Sequence, residues 1–336
     1  MSNEPTYVDG GEDPKRKAIY YHNDLDFGGA EGMVEVVAAT DGLVVSSGKD
    51  VLAGHEDSPV SERYDVVYIL DDRGWYYRYS HLFSIDESIK IGTRVQMGQN
   101  IGILGKEGGS GGWSHLHFGI YSRQPSGDWG TQDVYGFVWE AYVHKHNPAL
   151  LAVARPHRFK AVGETAVLDG SKSWSASDSI SSYKWIITDG SEAVGPKSNR
   201  TYNKPGMYTE TLRIEDSLGN VAYDFAVVQV SDPDRPDERA PSIHPVYYPT
   251  TDIHAGDKVT FKVRTFNTTD GYETWDFNDG SDPVTVHSDG NIRKLAKNGY
   301  AVTEHRFEKA STYIVGVERT NNRGESAIGR LAVHVE

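Results

Sequence analysis

Cysteine is absent from the 336 residues, so the chain forms no disulfide and can hold no metal through thiolate. Any transition-metal site must therefore be built from His, Asp and Glu. There is also no apolar run long enough to span a bilayer. The opening Met-Ser-Asn-Glu-Pro lacks the basic-then-apolar pattern of a secretion signal. Positive charge is scarce: 34 Lys and Arg stand against 48 Asp and Glu, a formal net charge of −14. Residues 1–150 hold −10 of that total, with 12 basic against 22 acidic side chains. Phosphate binding needs a basic face, so no nucleic-acid partner is expected, and an anionic polymer gains nothing from the overall field. Helical periodicity is nearly missing. So is a Gly-x-Ser-x-Gly elbow, and no Lys-Ser/Thr follows Gly108-Gly109-Ser110-Gly111-Gly112, which reads as a flexible cleft wall rather than a phosphate loop.

What is present is β pattern. Residues 1–16 form a polar arm, and from Lys17 short apolar segments alternate with tight turns. Thr40-Asp41-Gly42 and Asp71-Asp72-Arg73-Gly74 are hairpin signatures between such segments. The chain is therefore expected to be all-β. Residues 17–152 form an antiparallel β-sheet domain, 153–231 a β-sandwich, 232–241 a solvated, semi-rigid linker with three prolines, and 242–336 a second sandwich.

The two sandwiches repeat one another. Trp185-Ile-Ile-Thr-Asp189-Gly190-Ser191 recurs as Trp275-Asp-Phe-Asn-Asp279-Gly280-Ser281, and Tyr202-Asn-Lys-Pro-Gly206-Met-Tyr208 recurs as Phe307-Glu-Lys-Ala-Ser-Thr-Tyr313. The unequal spacing places an insertion of about 15 residues within 284–300. Both Asp-Gly pairs read as turns rather than calcium sites.

Chemistry concentrates in the first domain. In Ser114-His115-Leu116-His117-Phe118-Gly119-Ile120, alternation on a strand projects His115 and His117 together. His22 and Asp26 lie four apart, and with His81 these five residues can be assembled into one site at strand ends and loops. A catalytic zinc takes three protein ligands and leaves its fourth position to water. Both members of the His-x-His pair could ligate, or one could stand beside the metal; spacing does not choose. His144-Lys145-His146 reads as a surface pair. Trp75, Tyr76, Tyr77, Tyr79, Trp113 and Trp129 could stack on sugar rings, but packing is favoured for them.

The ordered motifs resemble the lysostaphin/LytM-type zinc endopeptidases over about residues 17–151. His22-Asn-Asp-Leu-Asp26-Phe-Gly matches their His-x-x-x-Asp segment, and Glu31-Gly32 through Ala39-Thr-Asp41-Gly42-Leu-Val-Val matches the following hairpin. Tyr79-Ser80-His81-Leu82 matches Tyr-x-His-Leu, and a Gly-spaced stretch leads to the final His-x-His. The resemblance implies a Zn2+ cofactor held by His22, Asp26 and His117, with His81 and His115 as the unliganded catalytic pair. It implies a substrate class of peptidoglycan cross-links or Gly-rich peptide. Departures stand out: Asp24 where the family usually has Gly, Ser114 where it has Pro, and Gly119 where it has Glu.

Both repeats resemble polycystic-kidney-disease (PKD) domains, with Trp275, Asp276, Phe277, Asp279 and Gly280 closest to the family pattern. Such modules usually accompany extracellular enzymes, which implies a secreted or cell-surface protein. Two alternatives keep the same residues. One is a polysaccharide lyase acting on uronates, with Arg78 and Arg63 near the substrate carboxylate; the other is a non-catalytic zinc-binding scaffold.

Overall fold

Antiparallel pairing of short strands builds the first part of the chain. In the computed structural model, residues 8–9, 20–21, 24–177, 179–289 and 299–336 are described. His22, most of the arm and the core of the expected insertion lie outside them. Two units separate, Met1–Lys145 and His146–Glu336.

The first unit contains β1 (Val8–Asp9), β2 (Tyr20–Tyr21), β3 (Leu25–Gly28), β4 (Glu35–Val37), β5 (Gly42–Ser47), β6 (Asp50–Val51) and β7 (Val67–Leu70). It continues with β8 (Tyr76–Ser80), β9 (Leu82–Ile85), β10 (Arg94–Val95), β11 (Asn100–Leu104), β12 (His115–Arg123) and β13 (Trp129–Thr131). The main sheet runs β10-β5-β7-β8-β12-β13, with β3 also paired to β12 and β6 to β5; a smaller sheet runs β4-β11-β9. The β7–β8 hairpin forms because the Asp71 carboxylate accepts the backbone N–H groups of Arg73 and Trp75, each at 2.9 Å, while Gly74 takes a φ of 84°.

Period-2 alternation decides the two faces of β12. Leu116, Phe118 and Ile120 turn toward the core, beside Leu25, Tyr77 and Tyr79 from the flanking strands. Burying one such side chain is worth about 1.5–3 kcal/mol. The opposite face therefore carries His115, His117, Gly119 and Tyr121, and the strand is fixed in place by apolar residues that do no chemistry.

Against the expectation of almost no helical pattern, residues Val134–His146 form α1. Asp133 caps its start by accepting the N–H of Tyr135 at 3.1 Å, and Asn147, with a φ of 39°, ends it ahead of Pro148. Tyr135, Phe137 and Trp139 all remain substantially exposed, so no single apolar stripe marks the helix in sequence. His144 and His146 sit at its exposed end. Two residues apart on a helix is about 200° of rotation, so this His-x-His is not a side-by-side pair.

The second unit holds two β-sandwiches. Trp185 and Trp275 are both fully buried, and they occupy equivalent places: Trp185 opposes Leu212, and Trp275 opposes Val317. The second pairing spans 15 residues more than the first, the expected size of the insertion. Both Asp-Gly pairs are turns, with Gly190 and Gly280 at φ of 84° and 89°. Strands Gly206–Asp216 and Ser326–Val335 pair in parallel at Gly206–Ser326 and Met207–Ala327, so one nine-stranded sheet passes through both sandwiches. The intervening segment is tied down by Arg235, which bonds Asp232, Glu238 and Glu325.

Candidate functional site

Three strands deliver one polar face. In register, His117 lies opposite Asp26 of β3 on one side and Ser80 of β8 on the other. His117 Nδ1 is 3.0 Å from Asp26 Oδ1, and His115 Nε2 is 3.6 Å from the same oxygen. His81, immediately after β8, brings its ring to 4.7 Å from His115 and 5.9 Å from His117, centroid to centroid. Four of the five expected residues thus meet; His22 lies outside the described residues, two positions before the loop that enters β3.

Backbone geometry holds His81 in an uncommon conformation. Its φ is 69°, a left-handed value that costs a non-glycine residue roughly 1–2 kcal/mol. Asp65 accepts its backbone N–H at 3.1 Å, and the His81 ring donates from Nδ1 to the Glu107 carbonyl at 2.6 Å. Burial alone would raise the Asp65 carboxyl, but hydrogen bonds from His81 and Arg63, together with the Arg63 charge, prevail and hold it at about 2. Arg63 reaches Asp65 through two nitrogens, at 2.6 and 3.1 Å.

His115 stacks on Trp113, with centroids 3.7 Å apart and planes 17° from parallel. Its Nδ1 is 3.1 Å from the Trp113 carbonyl, so that nitrogen carries the proton and Nε2 turns toward Asp26. Burial pushes the His115 imidazole down to about 3, overriding the opposing pull of Asp26, and keeps it neutral.

On the far side of His117, Nε2 is 2.8 Å from Asp24 Oδ2. Tyr121 donates its hydroxyl to that same oxygen at 2.5 Å, and Arg78 is 3.9 Å away. Burial opposes charge on both partners, but their mutual hydrogen bond lowers the Asp24 carboxyl and raises the His117 imidazole. Tyr121 was not singled out from sequence, and Asp24 only as a departure from the family pattern, not as a site residue. Stepping by two from Asp26 and from His117 would have found them, because both lie on the face already marked.

The loop beside the cluster is pinned rather than loose. Lys106 forms a buried ion pair with Glu31, Ser110 donates to the Lys106 carbonyl, and the Gly108 N–H donates to the Tyr64 hydroxyl at 2.9 Å. The aromatic residues mostly pack: Tyr76, Tyr77 and Tyr79 are buried, and Trp129 stands edge-on to Tyr76 at 5.1 Å. Trp113 is the member of that group seen stacked on the cluster, against His115. Arg78 and Arg63 both face carboxylates of the protein itself, which leaves the proposed uronate contact without support.

The donor set suits a zinc-type ion. Asp26 is buried and His117 mostly so, their Oδ1 and Nδ1 atoms converge, and tetrahedral ligands at about 2.0 Å from zinc stand roughly 3.3 Å from one another. Among the described residues, no cluster of three metal-binding side chains forms by itself.

Residues 20–128 match Peptidase family M23, and residues 146–230 match the PKD domain family. No curated protein sequence matches the chain. A variant catalytic domain of the prophage-encoded M23 protein EnpA from Enterococcus faecalis is 25% identical, over 36% of this chain and 85% of that one, with a TM-score of 0.26. Csd3 from Helicobacter pylori is 26% identical over 38% of this chain and 33% of its own, with a TM-score of 0.24. A carbohydrate-binding module of the β-sandwich superfamily is 16% identical over 57% and 94%, also at 0.24. The polar face of β3, β8 and β12 lies within the first matched segment, so the chain pairs a segment that matches Peptidase family M23 with a following segment that matches the PKD domain.

Proposed function

We propose that the chain is a zinc-dependent endopeptidase, and that it cleaves peptide cross-links of peptidoglycan or Gly-rich peptide segments outside the cell. The observation that carries this reading is the convergence of Asp26, His81, His115 and His117 on one buried face inside the segment that matches Peptidase family M23. His22, Asp26 and His117 are the residues that would hold the metal. When bound, zinc supplies Lewis acidity, bringing a water's pKa toward about 7 and polarising the scissile carbonyl.

The chain's own groups handle the protons. His115 donates from Nδ1 to the Trp113 carbonyl, so its Nε2 is the atom that takes a proton from the attacking water and later delivers it to the leaving amine. Trp113, stacked on the ring, fixes that orientation and keeps water from one face. His81 is locked at Nδ1 by the Glu107 carbonyl and offers Nε2 to the reacting centre. The two imidazoles are close enough for both Nε2 lone pairs to face one attacking water from adjacent positions.

The test compares the full chain with its His115→Ala variant, after both are confirmed to bind one zinc, on peptidoglycan, pentaglycine and uronate polysaccharides. New amino groups are expected from the wild type, falling 10²–10⁴-fold in the variant. Unsaturated sugar products without amine release would replace the peptidase with a lyase, and zinc binding without either product would leave a scaffold.

A further inference from the structure

Two of the three departures from the family pattern, Asp24 and Gly119, meet at one point. A Cβ built on Gly119 would lie 2.3–2.4 Å from the carboxyl atoms of Asp24. The Asp24 carboxylate thus occupies the space that any side chain at 119 would need. The position is set by register: Asp24 immediately precedes β3, Leu25 opposes Phe118, and Asp24 comes up beside Gly119. Arg78 opposes Gly119 from the other flank.

From that space the carboxylate is tightly engaged. Its Oδ2 is 2.8 Å from His117 Nε2, accepts the Tyr121 hydroxyl at 2.5 Å and faces Arg78 Nη1 at 3.9 Å. Arg78 is itself oriented by Ser80, which accepts from its Nε at 2.7 Å. His117 therefore lies between two carboxylates, with Asp26 at Nδ1 and Asp24 at Nε2. The two sides are not equivalent. Asp26 also faces His115, whose ring adjoins His81, so its side opens on the catalytic cluster, whereas the Asp24 side is closed by Tyr121 and Arg78.

We infer that Asp24 is a positioning residue for the metal: its carboxylate accepts the Nε2–H of His117, fixes the tautomer, and aims the Nδ1 lone pair toward the site shared with Asp26. Such a carboxylate–histidine–metal arrangement raises ligand basicity, and its loss typically weakens metal binding 10–100-fold. Gly119 is the other half of the device, because only an absent side chain leaves the carboxylate its place. This inference rests on the zinc-site reading above.

The test measures zinc affinity of the full chain by competition with a chromophoric chelator, and the 15N shifts of His117 in the zinc-loaded protein. Wild type, His117→Ala, Asp24→Gly and the double variant Asp24→Gly with Gly119→Glu are compared, each checked for its native NMR spectrum. Asp24→Gly is expected to lose 10–100-fold in affinity, and the double variant to regain most of it by returning a carboxylate from the neighbouring strand. The wild-type spectrum is expected to show a protonated Nε2 and a metal-bound Nδ1. Attachment through Nε2, or an Asp24→Gly affinity within twofold of wild type while His117→Ala loses zinc, would overturn the role of Asp24 alone. A wild type that does not bind zinc, or a His117→Ala variant that binds it equally well, would overturn the metal site and the inference with it.

Discussion

Asp65 controls His81 from outside every recognisable motif. It is fully buried, pairs with Arg63, and accepts the backbone N–H of a histidine whose φ is unfavourable. Its folded-state carboxyl, at about 2, lies below the ordinary value of 3.8, so the fold favours the charged form. The resulting stability is fully present above about pH 4 and is lost as pH falls toward 2. A shift of that size corresponds to about 2 kcal/mol. Asp65→Asn should therefore be about 2 kcal/mol less stable than wild type at pH 7, and the gap should shrink toward zero near pH 2, where Asp65 is protonated too. Urea unfolding at both pH values, with hydrogen exchange identifying the transition that contains β8, measures it; a gap independent of pH would show that charge on Asp65 is not what counts. Activity should fall with it at neutral pH, since the His81 turn loses its anchor. Nothing in the sequence pattern flags Asp65, because its partner is a backbone N–H sixteen residues away.

Among the elements, β12 was the most legible and α1 the least. A His-x-His motif inside an alternating apolar run defines a strand and both of its faces, so the cluster could be expected before any coordinates. The helix failed that reading because its aromatic residues do not form one stripe, and Asp133 and Asn147 show as its ends only in the structure. The Gly-rich segment after β11 misled in a different way. Glycine content suggests freedom, yet the loop is fixed by an ion pair between two buried side chains, Lys106 and Glu31, that sequence distance concealed. Removing one partner of such a pair strands a buried charge, at a cost of about 3–5 kcal/mol. Lys106→Ala should lose about that much and reduce activity by releasing the Glu107 carbonyl that holds His81. Combining Lys106→Met with Glu31→Leu should recover more than half of the stability, because no unpaired charge remains. A double-mutant cycle by urea unfolding reads the coupling directly; strictly additive single and double variants would show that the pair does not hold the loop.

For the whole molecule, the repeat was legible but the union of its halves was not. Alternation and the two Trp motifs predict two separate sandwiches, whereas Gly206–Asp216 and Ser326–Val335 join them edge to edge in one sheet. The junction depends on close backbone approach: a Cβ at Gly206 would sit 2.3 Å from the Ser326 carbonyl oxygen, an atom that cannot move without its strand. Thr209 adds a side-chain bond to the Ile328 carbonyl at 2.7 Å, and Arg235 a salt bridge to Glu325 at 2.9 Å. Main-chain pairing plus these two bonds should couple the sandwiches, so that they unfold together in the wild type. Gly206→Ala is expected to force the edges apart at a cost of about 1–3 kcal/mol. In calorimetry of the full chain the coupled transition should then split, with its first component about 2–4 °C lower for each kcal/mol lost. Zinc affinity should be unchanged, since every residue proposed for the metal lies in the other unit. A single unshifted transition in the variant would mean that the shared sheet joins the sandwiches without making either depend on the other.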